Sequence, residues 1–166
     1  MFNLSKRLRP GVFVWAMIAA LVVDQVSKLW VEASLSFQSV VPVVPFVSFY
    51  RTYNEGIAFS MLEGLKHYGL VLIALGVLVF VSLLWQSTEP QRKLSRLGFA
   101  VICGGAIGNI IDRSVYGHVV DFILVHTQSW SFAIFNLADS FITVGAGLVI
   151  LDEFFVWRRS RASLSD

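Results

Sequence analysis

Residues 68–85 are eighteen consecutive side chains without a charge, and nothing else in the chain restricts its fold as tightly. An apolar run of about 20 residues, rising about 1.5 Å per residue as a helix, crosses the hydrocarbon core of a bilayer. In lipid every backbone polar group has to be satisfied within the segment, so the run has to be helical. Three further runs share this character. Membrane helices are therefore expected at about 12–31, 68–86, 95–112 and 137–157, with outer connections at about 32–67 and 113–136. Only 14% of the residues are charged, against about 25% in a soluble domain. The first run follows Lys6, Arg7 and Arg9 in the manner of a secretory signal peptide. No small-residue cleavage site comes after it, and the segment continues through Asp24 and Lys28 into Leu29-Trp30-Val31, so it is read as a retained span. One membrane domain, 1–166, is expected.

The connections carry the other signals. The stretch from Val40 to Tyr50 is β-branched and aromatic, and Pro42 and Pro45 exclude a regular helix, so short strands lying on the membrane surface are expected. Asn54-Glu55-Gly56-Ile57-Ala58-Phe59-Ser60 reads as a turn that returns the chain toward the bilayer. Basic residues then set the orientation. The N-terminal stretch, the linker at 87–96 and the tail from Arg158 each hold three Lys or Arg, whereas the two long connections share Arg51, Lys66 and Arg113. The positive-inside rule puts both termini and the linker in the cytoplasm and both long connections outside.

In that orientation the polar residues converge on the outer face. Asp121 lies in the second connection and Asp139 in the first turn of the fourth helix; Asn109 to Arg113 close the third helix, and Asp24 and Lys28 occupy the outer half of the first. Two carboxylates forced together in a poorly hydrated site do not both ionise near neutral pH. One keeps a proton while the other accepts, which is what general acid/base chemistry requires. Asp24 and Lys28 stand four apart on one helix face and are expected to neutralise each other. Exchanging them is accordingly expected to be milder than replacing either by Ala. Gly104 and Gly108 form a small-xxx-small pair over which another helix can pack closely. Cys103, inside an apolar run, reads as a buried structural thiol.

Five motifs run in order along the chain: Asp24-Gln25-Val26-Ser27-Lys28; Asn54-Glu55-Gly56-Ile57-Ala58-Phe59; Gly104-Gly105-Ala106-Ile107-Gly108-Asn109-Ile110-Ile111-Asp112-Arg113; Val119-Val120-Asp121-Phe122; and Phe135-Asn136-Leu137-Ala138-Asp139. Each is short, but together they cover nearly the whole chain. They resemble the motifs of the lipoprotein signal peptidases (signal peptidase II), a family of bacterial membrane aspartyl peptidases. The resemblance implies that Asp121 and Asp139 are a catalytic pair, one taking a proton from the attacking water and the other hydrogen-bonding the scissile carbonyl. It implies that Asn54, Gly56, Asn109, Arg113 and Asn136 line or brace the site and hold the substrate, that Asp24 and Lys28 support the fold, and that no metal and no organic cofactor is needed. The substrate class it implies is a prolipoprotein with diacylglycerol on a cysteine, cut just before that cysteine at the outer face of the bacterial cytoplasmic (inner) membrane. Membrane lipids and cyclic lipopeptide-type inhibitors are the further partners expected, with no nucleic acid and a monomeric state. The segment near 40–50 then becomes a small outer sheet that cradles the substrate. The expected fold class is an all-α integral membrane protein of four transmembrane helices with a small extracytoplasmic β-sheet and loop cradle.

Other chemistries fit less well. Ser27 and Lys28 are adjacent on a helix and point in different directions, which is poor geometry for a Ser–Lys pair. His118, Asp121 and His126 as zinc ligands lack a facing carboxylate-rich helix. A transporter holds its ionisable residues near the midplane between repeated halves, whereas these converge on one face and no internal repeat is present.

Overall fold

The structure, a computed structural model, describes residues 11–56 and 66–162. Lys6, Arg7, Arg9 and the Ile57-Ala58-Phe59 end of the second motif lie outside the described residues, as does the side chain of Lys66. Four helices, α1 (Gly11–Ser34), α2 (Lys66–Ser87), α3 (Lys93–Tyr116) and α4 (Leu137–Ala162), and three strands, β1 (Val40–Val44), β2 (Val47–Asn54) and β3 (Val119–Val125), follow in the order α1-β1-β2-α2-α3-β3-α4. All four helices are long and apolar enough to cross a membrane, with mean hydropathy between 1.6 and 2.5. Their large apolar side chains face outward, among them Leu72, Phe80, Val144 and Ile150. In water this would be an aggregation surface; in a bilayer it is the ordinary solvent-facing side.

Helix α3 is the hub, with α1, α2 and α4 all packed on it. Its small residues make this possible. A Cβ at Gly104 would come within 2.5 Å of the Met17 carbonyl of α1, and one at Gly105 within 2.5 Å of the Ala138 carbonyl of α4. Gly98 and Gly145 lie backbone to backbone where α3 crosses α4, each leaving room for the other's carbonyl. Close approach of this kind supplies the van der Waals contact that holds membrane helices together in the absence of a hydrophobic driving force. At the linker end the α2–α3 connection is tied to α4. Arg92 Nε donates to Asp152 Oδ2 at 2.8 Å, Arg92 Nη2 pairs with Glu153 at 2.8 Å, and Ser95 Oγ donates to Asp152 at 2.6 Å.

At the opposite end β1, β2 and β3 form one antiparallel sheet in the order β1-β2-β3. Pro42 is tolerated because β1 is an edge strand, and the register shifts beside it. The sheet is larger than the segment near 40–50 alone suggests. Residues 119–125, read from sequence only as a connection bearing Asp121, are β-branched enough to form its third strand. Val31 of α1 with Val120 and Phe122 of β3 form a buried cluster joined by Leu35, Phe49, Tyr53 and Leu137. Arg51 Nη1 donates to the Glu32 and Leu35 carbonyls at 3.0 and 3.2 Å, capping α1 from the sheet. Helix α3 continues to Tyr116, so Arg113 stands in its last turn rather than in the connection. Gly117, at φ 76°, donates its N–H to the Arg113 carbonyl and turns the chain into β3.

Candidate active site

The local chain geometry of three elements delivers the two carboxylates to one place. Asp121 pairs with Thr52 across the β2–β3 ladder, and Asn54 pairs with Val119, so Asn54 and Asp121 are diagonal neighbours on one face. Asn54 Nδ2 donates to Asp121 Oδ2 at 2.9 Å. The amide is fixed in that sense because its oxygen accepts the Gly56 N–H at 2.9 Å. Gly56 sits at φ 76°, where only glycine is unstrained, and a Cβ there would strike Leu70 of α2. The turn expected at Asn54 and Gly56 is therefore real and also orients a donor at Asp121.

Helix α4 begins with a reciprocal cap. Asn136 Oδ1 accepts the Asp139 N–H at 3.0 Å, and Asp139 Oδ2 accepts the Asn136 N–H at 3.3 Å. This is the capping-box arrangement with Asp in place of Glu, and it satisfies two otherwise unpaired helix-terminal donors. With its oxygen committed to the cap, Asn136 turns its Nδ2 toward Asp121 Oδ1, 2.6 Å away, and toward Asn109 Oδ1 at 3.3 Å. Asn136 is fully buried. One residue thus joins both carboxylates. Asn109 of α3 completes the set, its Nδ2 donating to Asp139 Oδ1 at 2.9 Å. Each carboxylate receives one N–H on each oxygen.

Asp121 is only 2% exposed. Burial pushes its carboxyl up to about 6 from an ordinary 3.8, and the negative charge of Asp139 adds to this. The N–H donors of Asn54 and Asn136 and the positive charge of Lys28 act in the opposite direction. Arg113 stands in the field of Asp139, Asp121 and Asp112. Its guanidinium donates only to the Asn109 carbonyl, at 3.4 Å, and forms no ion pair within 4 Å among the described residues.

Asp24 and Lys28 are joined as their spacing predicts, at 2.8 Å, but mutual neutralisation describes only part of their role. Asp24 Oδ1 accepts the Ala138 N–H of α4 at 2.9 Å. Lys28 Nζ also meets Asp112 at 2.8 Å and Asn109 Oδ1 at 3.0 Å. These contacts argue against the expectation that exchanging the two is milder than replacing either by Ala, because neither side chain can serve the other's external partners. Sequence reasoning did not assign Gln25 and Asp112 to the site. Gln25 Nε2 donates to Asp112 Oδ1 at 2.9 Å, tying α1 to α3. The available signal was that Asp112 follows Asn109 by three positions and so shares a face of α3 with it. His126 lies 2.8 Å from Ser48 Oγ, and His118 stacks on Tyr53 at 4.0 Å between centroids. Both histidines thus have partners in the sheet.

The family model described as signal peptidase (SPase) II matches residues 16–155. Proteins named lipoprotein signal peptidase from Brucella ovis, Brucella canis and Brucella suis are each 51% identical over 150 residues, 90% of this chain and 94% of theirs. Two solved chains, each titled as a bacterial membrane enzyme, superpose with TM-scores of 0.79 and 0.80 at 27% identity. They cover 92% and 90% of this chain and 93% and 96% of their own.

Proposed function

Since this chain belongs to the signal peptidase II family and is a multi-pass membrane peptidase, we propose that it removes signal peptides from prolipoproteins with Asp121 and Asp139 as its catalytic pair. The substrate is a proprotein whose cysteine already carries diacylglycerol, and the bond cut is the one just before that cysteine. One observation carries this reading: Asn136 links a buried carboxylate, Asp121, to a half-buried one, Asp139, each already accepting two N–H donors, at the end of the bundle where the sheet sits.

Such an arrangement suits water-mediated peptide hydrolysis. The ionised carboxylate takes a proton from water as its oxygen attacks the scissile carbonyl carbon. The protonated carboxylate hydrogen-bonds the carbonyl oxygen and stabilises the tetrahedral intermediate. As the C–N bond breaks, a proton passes to the leaving nitrogen, giving the free amine of the lipidated cysteine and the carboxyl end of the signal peptide. Burial that lifts the Asp121 carboxyl to about 6 makes its protonated form more accessible than that of an ordinary carboxyl. Asn54, Gly56, Asn109, Arg113 and Asn136 hold the carboxylates and the substrate backbone, with the sheet as the cradle, and Arg113 has donors to spare for substrate carbonyls.

The site faces the outer side of the bacterial cytoplasmic membrane, with both termini inside, as the distribution of Lys and Arg favours. Membrane lipids and cyclic lipopeptide inhibitors are the remaining partners, the whole chain acts as one membrane domain, and a monomer suffices. The test uses purified protein in detergent, a diacylglyceryl-modified proprotein and the same proprotein without lipid. Asp121→Asn and Asp139→Asn are expected to stay folded and lose cleavage, and only the lipidated substrate to be cut. Near-normal cleavage by either variant would refute the two-carboxylate mechanism.

A further inference from the structure

We infer that Lys28 is a positioning residue for Asp139, acting through the side-chain amide of Asn109. The inference rests on the reading of Asp121 and Asp139 as the acid–base pair. The ammonium of Lys28 donates to Asp24 Oδ2 at 2.8 Å and to Asn109 Oδ1 at 3.0 Å, and it is ion-paired with Asp112 Oδ2 at 2.8 Å. Lys28 is 3% exposed, with Asp24 at 0% and Asp112 at 2%, so the arrangement is closed to solvent.

What Lys28 decides is the sense of the Asn109 amide. In the orientation present, the oxygen accepts from Lys28 and from Asn136 Nδ2, and the nitrogen donates to Asp139 Oδ1. Turned over, the amide would point N–H groups at an ammonium and at another NH2, and press its oxygen against a carboxylate. All three contacts would become repulsive. Of the two acceptances that lock the amide, the one from Lys28 is shorter and charge-assisted, and charge-assisted hydrogen bonds are the stronger kind. Removing Lys28 takes away the strongest of the three contacts that set the sense of the amide, so the N–H given to Asp139 is held less firmly. The same side chain places a positive charge in the field of Asp121.

The charged groups around the pair are Lys28 and Asp24 from α1 and Asp112 and Arg113 from α3, with His118 at the start of β3 stacked on Tyr53 and Arg51 of β2 turned away to Glu32. A counterion for Asp24 and Asp112 is the alternative account of Lys28, and the two accounts separate in one experiment. The double variant Lys28→Met with Asp112→Asn removes one positive and one negative charge together, so the net charge of the cluster is unchanged. If Lys28 acts through Asn109, the folded double variant loses kcat by about 10- to 100-fold, the scale of a displaced catalytic group, with KM close to wild type. The acid limb of its kcat–pH profile moves to higher pH. Asn109→Ala then costs less activity in the double variant than it costs in the wild type, because the two changes share a path. Wild-type kcat with an unmoved pH profile in the double variant would overturn the inference.

Should that variant fail to insert, Asn109→Asp keeps an acceptor for Lys28 and replaces the N–H given to Asp139 by a carboxylate oxygen and its negative charge. A raised acid limb is expected, and an unmoved one would overturn the inference. Failure of the underlying reading looks different, since Asp121→Asn and Asp139→Asn would then retain cleavage whatever occupies position 28.

Discussion

The Asp121 carboxyl makes the stability of the folded protein depend on pH in a direction opposite to the usual acidic residue. Its proton is held more tightly in the folded state, at about 6, than at the ordinary 3.8. Between these values the folded chain binds more protons than the unfolded one, so stability falls as pH rises from about 4 to about 6 and is level above. The shift is about two units, and at about 1.4 kcal/mol per unit it amounts to about 3 kcal/mol. Exposure of 2% leaves little solvent screening to reduce that figure. The perturbation is Asp121→Asn, which removes the titrating group, and the assay is reversible denaturation of both proteins in mixed detergent micelles from pH 3.5 to 7.5. Differencing the two proteins cancels the other carboxylates to first order. The wild type is expected to lose about 3 kcal/mol relative to the variant on going from the acid to the neutral end. The asparagine itself adds a constant cost, because its NH2 must face the NH2 groups of Asn54 or Asn136, both locked by their own oxygens. A difference that stays flat within about 0.5 kcal/mol would show that Asp121 titrates as a solvated carboxyl, and the poised, poorly hydrated site would be refuted.

Three further outcomes follow from the same contacts. Gly56→Ala forces a left-handed backbone on an L residue, costing about 1–2 kcal/mol, and drives a methyl into Leu70; the loss of cleavage rate is expected to exceed the loss of thermal stability, because the Asn54 donor moves with the turn. Gly145→Val pushes side-chain atoms into the Gly98 carbonyl, 2.6 Å from where a Cβ would sit, so a drop of at least about 1–3 kcal/mol is expected in thermal unfolding. Arg92→Ala breaks two partly exposed ion pairs and should cost about 1 kcal/mol or less with cleavage unchanged; a large loss of activity would mean that the linker end communicates with the site.

How far the sequence could be read depends on which forces leave a local trace. Lipid demands unbroken apolar runs, so the uncharged stretch that became α2 was plain. The Val- and Pro-rich stretch that became β1 and β2 was marked by β-branching. Strand β3 was missed although Val119-Val120-Asp121-Phe122-Ile123-Leu124-Val125 has strand composition, because a buried charge interrupts the pattern that marks a strand. Placing Asn54 beside Asp121 also depends on a register shift between Phe49 and Thr52, and no periodicity encodes a bulge. Motif order brought Asn136 into the neighbourhood of both carboxylates, but only the α4 cap explains why its amide points at Asp121.

The pair Asp24 and Lys28 marks the limit most clearly. Spacing of four along one helix predicts their contact and says nothing of the elements packed over it. Exchanging them, so that Lys occupies 24 and Asp occupies 28, preserves the ion pair but reverses every external contact. An ammonium would face the Ala138 N–H that Asp24 accepts at 2.9 Å. A carboxylate would face Asp112, now 2.8 Å from Lys28, and the Asn109 oxygen at 3.0 Å. Breaking one partner of a buried pair costs about 3–5 kcal/mol, and the exchanged protein loses its bonds to α3 and α4 together. Its folded yield and melting temperature in detergent are therefore expected to fall at least as far as those of Asp24→Ala or Lys28→Ala. An exchanged protein that melts closer to the wild type than either Ala variant would mean that the two residues only neutralise each other and that their contacts to Ala138 and Asp112 contribute little.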